Sequence, residues 1–284
     1  MGIQPRHARP LARLRDAVNT HALTVGSLFS GIGGIDLGLQ RAGMRHAWFC
    51  ERDEFCRSVL RRHWPDAPVY TDVAHVGADT PPVDVLAAGF PCQPVSIAGR
   101  RAAQDDDRWL WPEVARIIGD LRPRYVLLEN VPGLLTRGFG DVLGDLATLG
   151  FDAEWDCLPA AAFGAPHIRD RVFVVAYPSG QGLQRGDVRI LADAGSWGQH
   201  PDPARPAVSA LRPWPAEPRM ARVADGVPAQ VDRTRALGNA VVPAVAEWVG
   251  RCVMADAGRP CPYCAPDEGC SDHIGAPYLG WAAA

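Results

Sequence analysis

Short apolar runs alternate with amphipathic stretches between residues 23 and 176, and no other feature of the sequence narrows the fold as far. The runs at 23–29, 46–50, 83–88, 125–128 and 172–176 are bounded by Gly, Pro or charged residues, as buried strands are. The stretches at 35–42, 54–62, 111–121 and 142–149 carry apolar residues three and four apart, the spacing of a helix with one buried face. Strand and helix in alternation predict an α/β fold, with a mainly parallel sheet covered on both faces. Ligands of such sheets bind at the carboxyl ends of the strands, so chemistry is expected in the loops that follow the apolar runs.

Beyond Pro178 the pattern changes. Residues 182–228 are rich in Pro, Arg, Gly and Trp with weak periodicity, which predicts a small irregular lobe. Order returns further on: Pro243 suits a first helical position, and Val245, Trp248, Val249 and Cys252 follow at helical spacing, predicting a helix over 244–252. After residue 255 the chain reads as loop, and the sequence shows no internal repeat.

Composition removes several function classes. All 29 basic residues are Arg, which excludes Schiff-base chemistry, a Lys general base and a Walker-type phosphate loop. Any phosphate or guanine contact must use guanidinium. The formal net charge of -3 argues against a wholly basic nucleic-acid binder but says little about one cleft. Although 47% of the residues are apolar, no run approaches the uncharged stretch of about 20 that a membrane-spanning helix needs. The first twenty residues hold Arg6, Arg9, Arg13 and Arg15 without an apolar signal-peptide core, which predicts a basic arm on a soluble, cytoplasmic protein. Cys50, Cys56, Cys92, Cys157 and Cys252 are scattered, as free thiols in a reducing compartment are.

Four loops carry candidate chemistry. After the first run, Phe29, Ser30, Gly31, Ile32, Gly33 and Gly34 form a glycine turn between strand and helix, where the backbone can approach a ligand closely. Rossmann oxidoreductases and plain tight turns share that signal, but the spacing is not the G-x-G-x-x-G that seats a pyrophosphate. Glu51, 20 residues past Gly31, is placed to accept hydrogen bonds from ribose hydroxyls, and Asp72 to reach an adenine amino group. After the third long run come Gly89, Phe90, Pro91, Cys92 and Gln93, a thiol at the carboxyl edge of the sheet where a purely structural Cys would sit in apolar packing. Glu129, followed by Asn130 and Val131, ends the next run, and a carboxyl group at that depth needs either a partner or a function. Finally His167, Arg169 and Arg171 alternate along a segment leading into the last run, so all three are expected to project from one face.

Taken in order, residues 29–34, Glu51, Asp72, 91–93, 129–131, 169–171 and 238–243 resemble the motifs of bacterial and phage DNA (cytosine-5)-methyltransferases. The Gly-Phe-Pro-Cys-Gln string with the downstream Glu-Asn-Val is highly specific, and the match spans roughly residues 24–252. The resemblance implies a Rossmann-like methyltransferase fold with a small irregular target-recognition lobe, acting on double-stranded DNA by base flipping, as part of a restriction-modification system or otherwise. It implies S-adenosyl-L-methionine as methyl donor, bound by Phe29, Gly31, Gly33, Gly34, Glu51, Asp72, Pro91, Asn239 and Val241, with the Gly238–Val241 segment returning to complete the pocket.

Catalysis would rest on Cys92, Glu129, Arg169 and Arg171. A thiolate adding to carbon 6 of cytosine makes carbon 5 nucleophilic, and a free thiol with a pKa near ~8.5 needs positive charge or oriented dipoles to ionise. Glu129 can share a proton with ring nitrogen 3 and accept from the exocyclic amine, while two guanidinium groups can hold the base carbonyl and a flanking phosphate. Gln93, Ser96, Arg100 and Arg101, at and after the nucleophile, are expected to contact DNA and close over it.

The domain organisation expected is a basic arm (1–22), a catalytic and cofactor-binding domain (23–181), the target-recognition region (182–228), a segment completing the catalytic domain (229–255) and a Cys-rich tail (256–284), in a monomer. His167 stands where the family usually has Gln. The recognition region is short, and within 182–235 eight Arg face six acidic residues, which permits groove reading but names no base. In the tail, Cys261, Cys264, Cys270 and His273 have zinc-compatible chemistry, and whether they bind metal is left open by the spacing. The alternatives are an RNA cytosine-5 methyltransferase and a catalytically silent DNA-binding relative.

Overall fold

The computed structural model describes residues 22–91, 109–180 and 230–258. Its centre is a seven-stranded sheet of order β3-β2-β1-β4-β5-β7-β6. Strands β1 (Thr24–Leu28), β2 (Arg45–Cys50), β3 (Val69–Tyr70), β4 (Val85–Ala88) and β5 (Tyr125–Asn130) run parallel. Strand β7 (Asp170–Pro178) inserts antiparallel between β5 and β6 (Phe151–Pro159). The sheet is therefore mainly parallel, as the alternation of elements requires.

Six α-helices are described: α1 (Gly34–Arg41), α2 (Glu54–His63), α3 (Trp111–Leu121), α4 (Phe139–Thr148), α5 (Gln230–Asn239) and α6 (Pro243–Asp256). No described helix is long and apolar enough to cross a membrane. Successive strand residues feed opposite faces of the sheet. Val25, Val85, Leu127 and Phe173 pack with Leu39 of α1 and with Val245 and Val249 of α6. Leu28, Leu86, Leu128 and Val174 pack with Ile117 and Ile118 of α3 and Val142 of α4. Burial on both faces is why these strands read as continuous apolar runs.

Helix α6 reaches the sheet only because α1 is narrow where they cross. A Cβ on Gly38 would lie 2.5 Å from the Pro243 carbonyl oxygen and 2.6 Å from the Ala246 Cβ. Gly250 repeats the device against Leu39 and Ala42. The C-terminal helix is thus seated beside the glycine turn, although some two hundred residues separate them in the chain. On the opposite side of α1, buried Asp36 lies 3.0 Å from buried His46 of β2.

Three elements lie outside the sequence expectation, the first being the two-residue edge strand β3, too short to leave a run. Strand β6 has the period-two signal, with Phe151, Ala153, Trp155 and Cys157 alternating with Asp152, Glu154 and Asp156, but its acidic face hides it among loop-like residues. Strand β6 is one of the two edge strands of the sheet, and Trp155 is exposed. Helix α5 has weak amphipathicity and ends in Gly238 and Asn239. The first strand also stops one residue early, because Phe29 takes a left-handed backbone (φ 54°). The basic arm, the recognition region and the Cys-rich tail, with Cys261, Cys264, Cys270 and His273, lie outside the described residues.

Candidate active site

The glycine turn sits at the carboxyl end of β1. Gly31 (φ 56°) and Gly33 (φ 83°) occupy the left-handed region that favours glycine. A Cβ on Gly31 would meet nothing within 4 Å, so the turn opens onto free space, whereas at Gly33 it would strike the Trp64 ring. Gly34 begins α1, and a Cβ there would lie 2.5 Å from the carbonyl oxygen of Val241. The segment after α5 therefore runs directly against the glycine turn. Val241 is buried and Asn239 is exposed.

Glu51, at the end of β2, braces this turn. Its Oε2 accepts from the Gly31 amide at 2.7 Å and its Oε1 from the Asp53 amide at 2.8 Å. Asp72 caps a short 3-10 turn by accepting from the Ala74 amide. Cys50 of β2 pairs with Tyr70 of β3, so the loops carrying both carboxylates leave the same sheet edge, and burial, with the charges of Glu51 and then Asp72, pushes the Cys50 thiol up to about 12. Each carboxylate retains lone pairs for hydroxyl or amine donors. A diphosphate would meet two negative charges here. The donor set and the open face of Gly31 fit a ribose and adenine group instead.

At the ends of β4 and β5 the second half of the site assembles. Phe90 is buried against Trp109 and Trp111, and its carbonyl accepts from Asn130 Nδ2 at 3.0 Å. Asn130 also takes the Val131 amide on its Oδ1, so one side chain fixes both loop starts. A Cβ on Gly89 would lie 3.3 Å from Glu129 Oε2. Pro91 is exposed and ends the described part of this loop. Cys92, Gln93, Ser96, Arg100 and Arg101 lie outside the described residues.

Glu129 is 9% exposed and pairs with Arg171, whose Nε lies 3.0 Å from Glu129 Oε1. Burial pushes the Glu129 carboxyl up to about 7, against the opposing pull of Arg171 and then Arg169. Desolvation thus outweighs two nearby cations, and the group can hold or release a proton at neutral pH. Cys50, Cys56 and Cys157 are shifted away from the thiolate: burial and neighbouring carboxylates push Cys50 and Cys56 up to about 12 and raise Cys157.

Of the expected common face of His167, Arg169 and Arg171, the two Arg side chains line one pocket with Phe173 and Val241, whereas His167 stays outside it, and the two guanidinium groups part within the pocket. Strand β7 begins only at Asp170, and Arg169 sits at φ 38°, so the extended alternation breaks between the two guanidinium groups. Arg171 turns to Glu129, whereas Arg169 Nη2 donates to the carbonyls of Gly238 at 2.8 Å and Ala240 at 2.7 Å. His167 is exposed, as is Ile168. A further contact carried no sequence signal: Arg235 of α5 reaches Asp53 Oδ2 at 2.6 Å, joining residues 182 positions apart. No group of three or more metal-ligating side chains occurs among the described residues.

A family model described as C-5 cytosine-specific DNA methylase matches residues 23–202. Among curated relatives, the type II methyltransferase M.NgoBI of Neisseria gonorrhoeae is 38% identical over 156 residues, covering 53% of this chain and 49% of the relative. The type II methyltransferase M.AquIA of a Picosynechococcus species is 34% identical over 181 residues, covering 56% and 73%. A candidate DNA modification methyltransferase encoded within an Escherichia coli prophage superposes with a TM-score of 0.50 at 27% identity, covering 59% of this chain and 49% of that one. A mutant of Spodoptera frugiperda DNMT2 has the same fold, with a TM-score of 0.50 at 20% identity over 57% of this chain and 52% of that one. The Rossmann-like methyltransferase fold agrees with the sheet order above. The chain spans about half the length of M.NgoBI.

Proposed function

Because the chain belongs to the C-5 cytosine-specific DNA methylase family, we propose that it transfers a methyl group from S-adenosyl-L-methionine to carbon 5 of cytosine in double-stranded DNA, with Cys92 as nucleophile. The observation that carries this reading is Glu129. It is a buried carboxyl group titrating near neutrality, paired with Arg171 and facing Gly89, three residues before Cys92 in the chain.

The residues then divide the work. The Cys92 thiolate attacks carbon 6, and the ring electrons move towards nitrogen 3, where Glu129 holds a proton. Arg171, paired with Glu129, would receive the base carbonyl. Bound S-adenosyl-L-methionine supplies the sulfonium methyl that carbon 5 takes. Loss of the carbon 5 proton and expulsion of the thiolate then restore the aromatic ring.

Phe29, Gly31, Gly33, Gly34, Glu51, Asp72, Pro91, Asn239 and Val241 would line the donor site. Glu51 and Asp72 suit the ribose hydroxyls and the adenine amine, and the open face of Gly31 leaves room beside them. Gln93, Ser96, Arg100 and Arg101 would engage the DNA once the base is extruded, which costs about a few kcal/mol of stacking and pairing. The expected partitioning is a catalytic unit at 23–181 completed by 229–255, with recognition in 182–228, and the protein acts as a cytoplasmic monomer.

The test is tritium transfer from labelled S-adenosyl-L-methionine to duplex DNA and, separately, to transfer RNA, followed by bisulfite sequencing of DNA from expressing cells. Label in DNA at protected cytosines supports the reading. Label confined to RNA, or none in either, overturns it.

A further inference from the structure

Arg169 is not a second copy of Arg171. Its guanidinium binds the carbonyls of Gly238 and Ala240, at the last turn of α5 and just beyond it. Carbonyls there have run out of intrahelical donors and gather the negative end of the helix dipole. A guanidinium at that point both caps the helix and balances its charge.

What Arg169 holds matters more than the cap itself. One residue on, Val241 runs so close to Gly34 that no Cβ fits between them. At the other side of the glycine turn, α5 makes its second anchor through Arg235 and Asp53. The Asp53 amide donates to Glu51, and Glu51 accepts from Gly31. Helix α5 therefore grips the glycine turn from two sides. The Cys56 thiol feels Glu51, Asp53 and Arg235 together, as that arrangement requires.

We infer that Arg169 is a positioning residue for the methyl donor: it locks α5 and the 238–241 segment across the donor loops, leaving Arg171 to serve the base. This inference rests on the donor site proposed above. It also joins the two halves of the site, since Arg169 and Arg171 stand two residues apart while their partners belong to different substrates.

The experiment is calorimetric titration of the full chain with S-adenosylhomocysteine, without DNA, together with steady-state kinetics on DNA. Arg169→Gln is expected to weaken binding about tenfold or more and to raise the donor KM alike, with a smaller factor lost from kcat at saturating donor, since Arg169 also acts on the Glu129 carboxyl. Arg169→Lys, which keeps a cation for the carbonyls, is expected to recover most of the affinity. Wild-type affinity in Arg169→Gln, or a kcat loss with donor KM unchanged, overturns the inference. Should Arg169→Gln fail to fold, the exposed Arg235→Ala carries the test, with an affinity loss of about two- to fivefold expected and no change contradicting it. Absence of binding by the wild-type chain would remove the donor reading itself, and this inference with it.

Discussion

Arg171 Nε lies 3.0 Å from Glu129 Oε1, yet Glu129 still titrates near 7, because burial outweighs the attraction of the ion pair. The folded-state value is above the ordinary carboxylate value of 4.5, so between about 4.5 and 7 the folded chain binds more protons than the unfolded one. Stability should therefore fall as pH rises through that window and level off above it. Glu129→Gln should flatten this slope, measured by denaturant unfolding across pH, because a neutral amide cannot titrate.

Activity should share that titration. If protonated Glu129 serves nitrogen 3, kcat declines as pH rises through about 7. Glu129→Gln should lower kcat by about 100-fold or more and remove this limb of the profile, while donor binding stays close to wild type. A Gln variant with an unchanged pH profile would assign the titration to another group.

Asn130 holds the start of the loop that leads to Cys92, the proposed nucleophile, through the Phe90 carbonyl. Asn130→Ala leaves that buried acceptor unpaired, at about 1–3 kcal/mol of stability. The expected kinetic result is a kcat lowered by a larger factor than donor KM is raised, since Phe90 leads to Cys92 and only Pro91 of this loop belongs to the proposed donor site. A selective rise in donor KM would contradict the placement.

The glycines of the turn should separate by measurement. Gly34→Ala drives a Cβ into the Val241 carbonyl, and rigid backbone gives way poorly, so a loss of about 1–3 kcal/mol in thermal unfolding is expected. Gly31→Ala meets no atom, and its cost is the left-handed backbone, about 1–2 kcal/mol, while its methyl enters the open space proposed for the donor. Titration with S-adenosylhomocysteine should show Gly31→Ala losing affinity even where its melting temperature exceeds that of Gly34→Ala. Full affinity in Gly31→Ala would place the donor elsewhere.

Much of this organisation was legible in the sequence, for identifiable reasons. Strands β1, β2, β4, β5 and β7 are buried on both faces, so each leaves an apolar run. The edge strand β6 pairs on one side only among the described residues, and its acid-bearing face reads as loop. Glu129 announced itself as a carboxyl inside an apolar strand. Arg169 misled because alternation assumes extended backbone, and nothing in the residues around it encodes the positive φ that sends it to α5. The Arg235–Asp53 contact had no local signature, being made between segments that only the folded chain brings together.

The transient bond proposed between Cys92 and the cytosine ring, steadied by Glu129 on the opposite side, can be trapped directly. The direct measurement uses duplex DNA carrying 5-fluorocytosine in the cognate site with S-adenosyl-L-methionine, resolved on a denaturing gel and mapped by peptide mass spectrometry. Fluorine cannot leave as the carbon 5 proton does, so the adduct should persist, with the DNA fragment attached to the Cys92 peptide and absent in Cys92→Ser. DNA methylated but never trapped, or trapped through another cysteine, would contradict the account.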